Sequence, residues 1–246
     1  PYTIQPPSRP YLEEIGREPG RLRIAFNTRS PIDTPVHPDC KKAVEHTVAL
    51  LAKLGHDVEE AAPAIDGKAL ARSYFALYFG EVAADIEELT SHLGRKAKRA
   101  DVEPLTWLLG LLGRTYSAGY FVSMIRTWNK AARLMGQFHE NYDVYVTPTT
   151  AYPPVKIGEL QPKPAEKILM GVVNALGLGG VMKGSGIVDK LANESLSKTP
   201  FTQLANFTGQ PAMSVPLYWT SEGLPCGSQF IARFGDEATL FRLAAQ

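Results

Sequence analysis

The chain has 246 residues, of which 44% are hydrophobic and 21% charged, so it can bury a substantial core as one large or two small domains. Its 26 basic and 25 acidic residues nearly cancel, which argues against a nucleic-acid groove and a polybasic membrane patch. We expect a soluble globular protein that binds neither nucleic acid nor membrane. Cys40 and Cys226 are far apart and show no CxxC or zinc-ligand spacing, so a reducing, cytoplasmic setting is the default.

The N-terminal sixty residues predict a leader followed by a strand, a helix and a second strand. Residues 1–20 begin with a proline-rich stretch that disfavours a helix, which indicates an extended leader or connector. Residues 21–26 alternate polar and apolar side chains as a half-buried strand does. Asp39 can cap a helix that Gly55 ends, and residues 56–60 form the next strand. This strand, helix, strand order is typical of an α/β fold with parallel strands.

A long helical hairpin is predicted over about residues 66–140, with helices at 68–92 and 103–140. Asp66 and Asp101 are the expected N-caps of these two helices. Glycine weakens a helix by roughly 1 kcal/mol relative to alanine, so we expect the hairpin glycines at close helix contacts or bends. These glycines are Gly80, Gly110, Gly113 and Gly119.

The second half of the chain predicts a further strand and then a polar, glycine-rich region. Residues 143–147 form a buried strand that Pro148 ends, and residues 151–164 form a proline-rich loop. The glycine-rich segment 171–186 disfavours a helix interior and predicts a mobile or ligand-facing excursion. The remaining predicted elements are a short helix at 202–207, strands at 212–217 and 227–232, and a last helix capped by Asp236.

Several separated segments together resemble the C-terminal half of the amidase signature family, and the resemblance covers essentially the whole chain in order. Within that family, the helical hairpin and the PTTAYPP loop are most similar to the branch that hydrolyses linear or cyclic amides. The segments are PGRLRIAFNTRSP at 19–31, YDVYVTPTTAYPP at 142–154, NFTGQPAMSVP at 206–216 and GLPCGSQFIARFGDEATLFRLAAQ from Gly223.

The resemblance implies a fold and the half of the domain that carries the catalytic groups. The fold is α/β: part of the family's mixed β-sheet sandwiched by helices, with the helical hairpin as an insertion. Members use a Ser, cis-Ser, Lys triad on their N-terminal half, where a glycine- and serine-rich segment supplies oxyanion donors. This chain has no matching segment, so the resemblance transfers no catalytic residue and implies no metal or organic cofactor. Residues 21–246 are then the C-terminal half of the domain, which depends on a missing N-terminal half.

The same resemblance implies which residues contribute one wall of the substrate pocket. By position, the loop after Thr147 and the segment 199–206 face the active centre, and aromatic residues of the hairpin, among them Tyr116, are lids. Helical spacing also favours core packing for these aromatics. The implied substrate-binding residues are Thr149, Thr150, Thr199, Thr202, Asn206, Tyr78, Phe79 and Tyr120.

Two short patterns offer rival serine chemistry. Ser195 and Lys198 match an SxxK pattern, in which one helical turn brings a lysine amine beside a serine hydroxyl. The partner motifs are absent and Pro200 prevents a continuous helix, so chance explains this match better. Ser185 lies in a Lys-Gly-Ser-Gly turn that imitates part of an oxyanion loop, and a flexible loop explains it better.

These observations support two functional hypotheses. The first is an amidase-type hydrolase of carbon–nitrogen bonds in non-peptide amides, represented by its C-terminal half. The alternative is a non-catalytic binding or assembly domain derived from an amidase. The expected partners are a small-molecule amide substrate and the missing N-terminal half. A homo-oligomer is also expected, because half a sheet leaves an edge strand exposed.

Overall fold

The structure is a computed structural model that describes residues 4–159, 161, 164–177, 180 and 194–246. The chain divides into two compact units. The first unit comprises Pro1–Gly67, Asn129–Pro154 and Leu196–Gln246, and the second comprises Lys68–Trp128 and Val155–Ser195.

The first unit is built on a mixed sheet, which contains five strands in the described part of the chain, in the order β2-β1-β3-β5-β4. Strands β1 and β2 are parallel, β3 is parallel to β1, and β5 is antiparallel to both β3 and β4. The strands are β1 Arg23–Phe26, β2 Asp57–Glu60, β3 Val144–Pro148, β4 Ala212–Trp219 and β5 Pro225–Ala232. This arrangement confirms the predicted α/β class.

Helices cover both faces of this sheet because successive strand residues point to opposite sides. Val144 and Val146 of β3 pack in a cluster with residues of α1 and α7, while Tyr145 packs with residues of α4 and α6. The described helices are α1 Pro38–Lys53, α2 Gly67–Leu93, α3 Pro104–Gly113, α4 Ala118–Asn141, α5 Pro164–Leu176, α6 Thr202–Thr208 and α7 Glu237–Ala245. Two short 3-10 helices lie at Tyr11–Glu14 and Arg99–Asp101.

Residues predicted as an extended leader include the first 3-10 helix, which packs on α7. Tyr11 stacks on Phe241 with 5.1 Å between ring centroids. The carboxylate of Glu14, only 2% exposed, accepts a hydrogen bond from Arg242 at 2.6 Å. A buried carboxylate needs such a partner, so this contact holds the leader against the sheet unit. The leader is therefore not extended throughout, because aromatic and ionic contacts distant in sequence override its proline content.

The prediction of one continuous second helix in the hairpin is wrong. Helix α3 ends at Gly113, and α4 begins at Ala118 after a short turn. The backbone N–H of Tyr120 donates to the Ser117 hydroxyl at 3.2 Å, which satisfies a free donor at the start of α4. The first helix, α2, agrees with its predicted bounds within one residue at each end.

Glycines in the second unit allow its helices to approach closely, as expected. A Cβ at Gly113 would lie 1.9 Å from the carbonyl oxygen of Phe79, and one at Gly110 would lie 2.5 Å from a methyl carbon of Ile86. Gly80 likewise faces the Phe121 ring, whereas Gly119 has nothing within 4 Å. Three of the four predicted contact glycines thus have that role.

Two of the predicted helix caps are wrong and one is confirmed. His37 rather than Asp39 is the N-cap of α1, because Pro38 occupies the first helical position. Asp101 closes the second 3-10 helix instead of starting α3, which follows Glu103. Asp236 caps α7 through a hydrogen bond from the backbone N–H of Thr239 at 3.3 Å.

The glycine-rich segment is partly helical. Helix α5 extends to Leu176 and includes Gly171, which contradicts the prediction for the beginning of the segment. The α5 side chain of Asn174 donates to the carbonyl of Pro104 at 2.7 Å, so a tertiary contact within the second unit compensates for low helix propensity. Most of the rest of 171–186 lies outside the described residues. Among the helices of the described ranges, none combines the length and apolar character needed to cross a bilayer.

Candidate functional site

A row of polar side chains lies on the α6 face of the sheet, at the carboxyl end of β3. Along β3 and just beyond it, Tyr145, Thr147 and Thr149 alternate onto this face, and the register pairs Tyr145 with Ile231 and Thr147 with Gln229. The face therefore changes from apolar at Tyr145 and Ile231 to polar at Thr147 and Gln229. In open α/β sheets ligands bind beyond the carboxyl ends of the parallel strands, so this polar end is the candidate site.

The buried part of the row is connected by hydrogen bonds from one amide. The Nε2 atom of Gln229 donates to the Thr147 hydroxyl at 3.3 Å and to the carbonyl oxygen of Phe201 at 3.4 Å. The Thr147 hydroxyl in turn donates to the carbonyl of Pro148 at 3.1 Å. Both Thr147 and Gln229 are buried, so water does not compete for these contacts. The amide thus links the end of β3 to the start of α6.

The open part of the row consists of two hydroxyl groups packed over a glycine. The hydroxyls of Thr149 and Ser214 are 2.7 Å apart and share a hydrogen bond. A Cβ at Gly227 would lie 2.4 Å from the Ser214 Oγ and 2.9 Å from the Thr149 Oγ1. A side chain at position 227 would therefore displace the hydroxyls from this arrangement.

Four of the predicted binding threonines lie in two segments that the backbone joins. The N–H of Ala151 donates to the carbonyl of Lys198 at 2.8 Å, which ties the loop after β3 to the segment before α6. Thr149 and Thr150 lie on the first segment, and Thr199 and Thr202 on the second. All four are half-buried, so their hydroxyls are in part accessible.

Asn206, the fifth predicted residue of this unit, is exposed on α6. It follows Thr202 by four residues, so the two side chains share one helix face. The sheet unit therefore contains all five polar residues that the resemblance implied.

The predicted aromatic residues belong to the second unit and divide into two kinds. Phe79 is 4% exposed and packs in a cluster with Leu108 and Leu112, so core packing accounts for it. Tyr78 and Tyr120 are exposed, and each stacks on a neighbouring tyrosine of its own region: Tyr78 on Tyr74 and Tyr120 on Tyr116. Tyr78 and Tyr120 are therefore open to solvent, whereas Phe79 is not.

Four residues of the site are missing from the predicted binding residues: Thr147, Gln229, Ser214 and Gly227. Gln229 lies two residues before the apolar Ile231, on the same strand face, and a polar residue at such an inward position is a usable signal. Ser214 and Gly227 give no such signal, because their role depends on the pairing of β4 with β5.

The two cysteines lie together on the other face of β5, which their sequence separation does not indicate. Cys40 and Cys226 are both buried in one cluster. Burial, reinforced by the neighbouring Cys226 thiol, raises the pKa of Cys40 to about 12. Burial likewise raises the pKa of the Cys226 thiol. Both groups are therefore neutral thiols at physiological pH and poor nucleophiles.

A groove of about 510 Å³ lies at the opposite, amino end of the parallel strands. It is lined by Arg23, Asp57, Glu59 and Tyr142 among others. Its charged groups already have partners: Asp57 binds Arg21, and Glu59 accepts from the Tyr142 hydroxyl. This charge compensation argues against the groove as the principal ligand site.

The rival serine motifs gain no support from the described geometry. Ser195 is exposed, and the chain turns before α6 through a hydrogen bond from the N–H of Thr199 to the carbonyl of Leu196 at 3.1 Å. A helix through Ser195 and Lys198 therefore does not continue past Pro200, as predicted. Ser185 lies outside the described residues. Within the described ranges, no group of three or more His, Cys, Asp or Glu side chains could hold a metal ion.

Comparison with known proteins gives a consistent result. A sequence profile of the Amidase family matches residues 1–241. The chain is 33% identical over 222 residues to the lipoamidase of Enterococcus faecalis, covering 90% of this chain and 30% of that protein. It is 30% identical over 251 residues to the 6-aminohexanoate-cyclic-dimer hydrolase of Pseudomonas sp. (strain NK87), covering 97% of this chain and 46% of that protein.

Solved structures show the same fold. The structure of 6-aminohexanoate cyclic dimer hydrolase superposes with a TM-score of 0.80 at 26% identity and covers 99% of this chain and 48% of that one. A bacterial aryl acylamidase superposes with a TM-score of 0.69 at 16% identity, over 96% of this chain and 45% of that one, which supports the fold alone. The chain thus spans less than half the length of these relatives.

Proposed function

Because this chain belongs to the Amidase family, we propose that it is the C-terminal half of a hydrolase of carbon–nitrogen bonds in non-peptide amides. The observation that carries the proposal is the family match over residues 1–241. The likeness to a cyclic amide hydrolase, at a TM-score of 0.80, supports the same reaction class.

In this proposal residues 21–246 supply sheet and one pocket wall, and the hairpin region 66–140 is an insertion. The nucleophilic serine, the second serine and the lysine base belong to an N-terminal half outside residues 1–246. Acyl transfer to serine followed by hydrolysis then requires no metal or organic cofactor. This division fits a site whose hydrogen bonds join hydroxyl, side-chain amide and backbone carbonyl groups.

The pocket wall suits a neutral amide. The hydroxyl oxygens of Thr149, Thr150, Thr199 and Thr202 can each accept a hydrogen bond from an amide N–H. The hydroxyls of Thr150 and Thr202 already donate to the carbonyls of Tyr152 and Thr199. Asn206 offers both a donor and an acceptor on one side chain. Tyr78 and Tyr120 remain proposed lid residues, whereas Phe79 is better explained as core. We propose linear or cyclic non-peptide amides as the substrate class, with the 6-aminohexanoate cyclic dimer and lipoamide as the first probes.

A serine-directed fluorophosphonate probe tests where the nucleophile lies. Intact mass is measured before and after labelling, for the isolated chain and for the product of the complete open reading frame that contains it. We expect no adduct on the isolated chain and one adduct on the complete product. An adduct on the isolated chain would contradict the proposed division and would return attention to Ser195 or Ser185. No adduct on either would favour the non-catalytic alternative.

A further inference from the structure

Gln229, which is not among the predicted binding residues, contacts both of the proposed pocket segments. Gln229 lies in the middle of β5, paired with Thr147 of β3 and with Ser214 of β4. Its side chain is only 5% exposed, so it acts within the sheet unit and not at its surface.

The Gln229 amide reaches both segments at once. One contact is to the Thr147 hydroxyl, which passes its own hydrogen to the Pro148 carbonyl immediately before Thr149. The other contact is to the carbonyl of Phe201, the N-cap residue of α6 immediately before Thr202. The first contact therefore ends two residues before Thr149, and the second ends one residue before Thr202.

Position 229 requires a primary amide. Its NH₂ carries two hydrogens on one nitrogen, so it can donate to two acceptors in different directions. A glutamate carboxylate donates nothing and would oppose the Phe201 carbonyl, and a methionine of similar length makes neither bond. Burial leaves no water to replace the lost donor, so neither contact would be replaced by a hydrogen bond from solvent.

We propose that Gln229 is a positioning residue, whose amide sets the separation and orientation of the Thr149 and Thr202 segments for substrate binding. The inference rests on the proposed function for its kinetic consequence. It adds a structural claim that can be measured on the isolated chain.

The test compares Gln229→Met with Gln210→Met. Gln210 is a second buried glutamine of the same unit, 7% exposed, at the other end of α6, and its Oε1 has no described hydrogen-bond partner. The same substitution there controls for the general cost of removing a buried amide. Gln229→Glu, which keeps the size but removes the donors, guards against an effect of shape.

The first readout is hydrogen exchange of the isolated chain by mass spectrometry. Gln229→Met and Gln229→Glu should speed exchange in peptides that cover 148–152 and 199–204, while Gln210→Met should leave peptide 148–152 unchanged. Equal exchange in the wild type and both Gln229 variants would overturn the positioning role.

The second readout is kinetic, on the product of the complete open reading frame with the cyclic dimer as substrate. The loss of the two long hydrogen bonds of Gln229 predicts a KM roughly fivefold higher in Gln229→Met, with kcat changed by less than about twofold. A merely structural role would lower the amount of active enzyme, and hence the apparent kcat, without moving KM. An unchanged KM in an active enzyme would overturn the kinetic part of the inference. An inactive wild type whose Gln229 variants still alter exchange would instead overturn the proposed function.

Discussion

At the scale of single residues, buried polar groups determine how the sheet unit responds to pH. His139 is only 5% exposed near the end of α4, and its Nδ1 lies 3.0 Å from the Tyr142 carbonyl. Burial lowers the pKa of His139, and the nearby Arg233 lowers it further, although the Tyr142 carbonyl, Asp143 and Asp236 oppose the shift. The imidazole is therefore neutral in the folded protein near pH 7.

This depressed pKa predicts a loss of stability in acid. Below about pH 6.5 the unfolded chain binds a proton at this histidine that the folded chain does not. The free energy of unfolding should then fall by up to about 1.4 kcal/mol per pH unit until the folded pKa is reached. Chemical denaturation between pH 7.5 and 5 measures the slope.

His139→Gln should reduce that slope, whereas His46→Gln, at an exposed position of α1, should leave it unchanged. An equal slope in the wild type and His139→Gln would show that another group is responsible. Asp143, whose pKa the adjacent Arg23 and Arg233 lower despite its partial burial, acts in a separate window. Its stabilisation is lost only as pH falls below about 4.

Residue-scale chemistry was the part that the sequence predicted least completely. The resemblance brought Thr149 and Thr202 forward, and the structure places their segments side by side. The resemblance could not indicate Ser214 or Gly227, because the contact between these two residues requires three strands to be in register. The histidines illustrate the same limit, because tertiary packing buries His56 and His139.

At the scale of secondary structure elements, some helix glycines are needed for close packing, whereas others only lower helix propensity. Gly113 ends α3 against the backbone of Phe79, which cannot move aside without shifting α2. Gly113→Ala should therefore destabilise the protein by about 1–3 kcal/mol, the usual cost of overpacking. Thermal unfolding followed by circular dichroism measures the change.

Gly136→Ala is the matched control, because Gly136 lies inside α4 with nothing within 4 Å of its Cβ position. That variant should gain up to about 1 kcal/mol from helix propensity alone. If both variants changed stability in the same direction, the close contact at Gly113 would be refuted.

The presence of most helices and strands was predictable from the periodicity of apolar residues, but the residues at which they end were less predictable. All five described strands and the helices α1, α2, α6 and α7 lie near their predicted positions because apolar period and turn residues agree there. The break between α3 and α4 was missed because the apolar residues on either side were joined into one helix, although Gly113 and the polar residues Arg114, Thr115 and Ser117 mark it. Helix α5 was missed because local glycine content says nothing of its contact with Pro104.

At the scale of the whole molecule, the chain covers less than half the length of its relatives. We therefore expect part of the sheet to remain exposed in the isolated chain. Strand β4 is an edge of the sheet within the described residues, and Trp219 at its end is 56% exposed. Unpaired strand edges favour pairing with another chain. We therefore predict that the isolated chain self-associates through β4, which multi-angle light scattering over a concentration series detects.

Lysine on an exposed edge strand opposes such pairing. Ala212→Lys, at an exposed position of β4, should shift the isolated chain toward monomer. The matched control is Lys41→Ala on the exposed side of α1, which should leave association unchanged. A monodisperse wild-type monomer at all concentrations would contradict this prediction.

The family and the α/β class were predictable at this scale from the separated segments of the chain, and both are confirmed. The division into two compact units was not, because contacts between the distant ranges 1–67, 129–154 and 196–246 create the sheet unit.

The most direct test of the central claim is turnover of the 6-aminohexanoate cyclic dimer, followed by mass spectrometry of the linear product. We predict that the product of the complete open reading frame opens the ring and that the isolated 246-residue chain does not. Ring opening by the isolated chain would contradict the assignment of the catalytic groups to another part of the enzyme. Absence of amide hydrolysis by both proteins, with lipoamide also tested, would contradict the assignment of an amidase function.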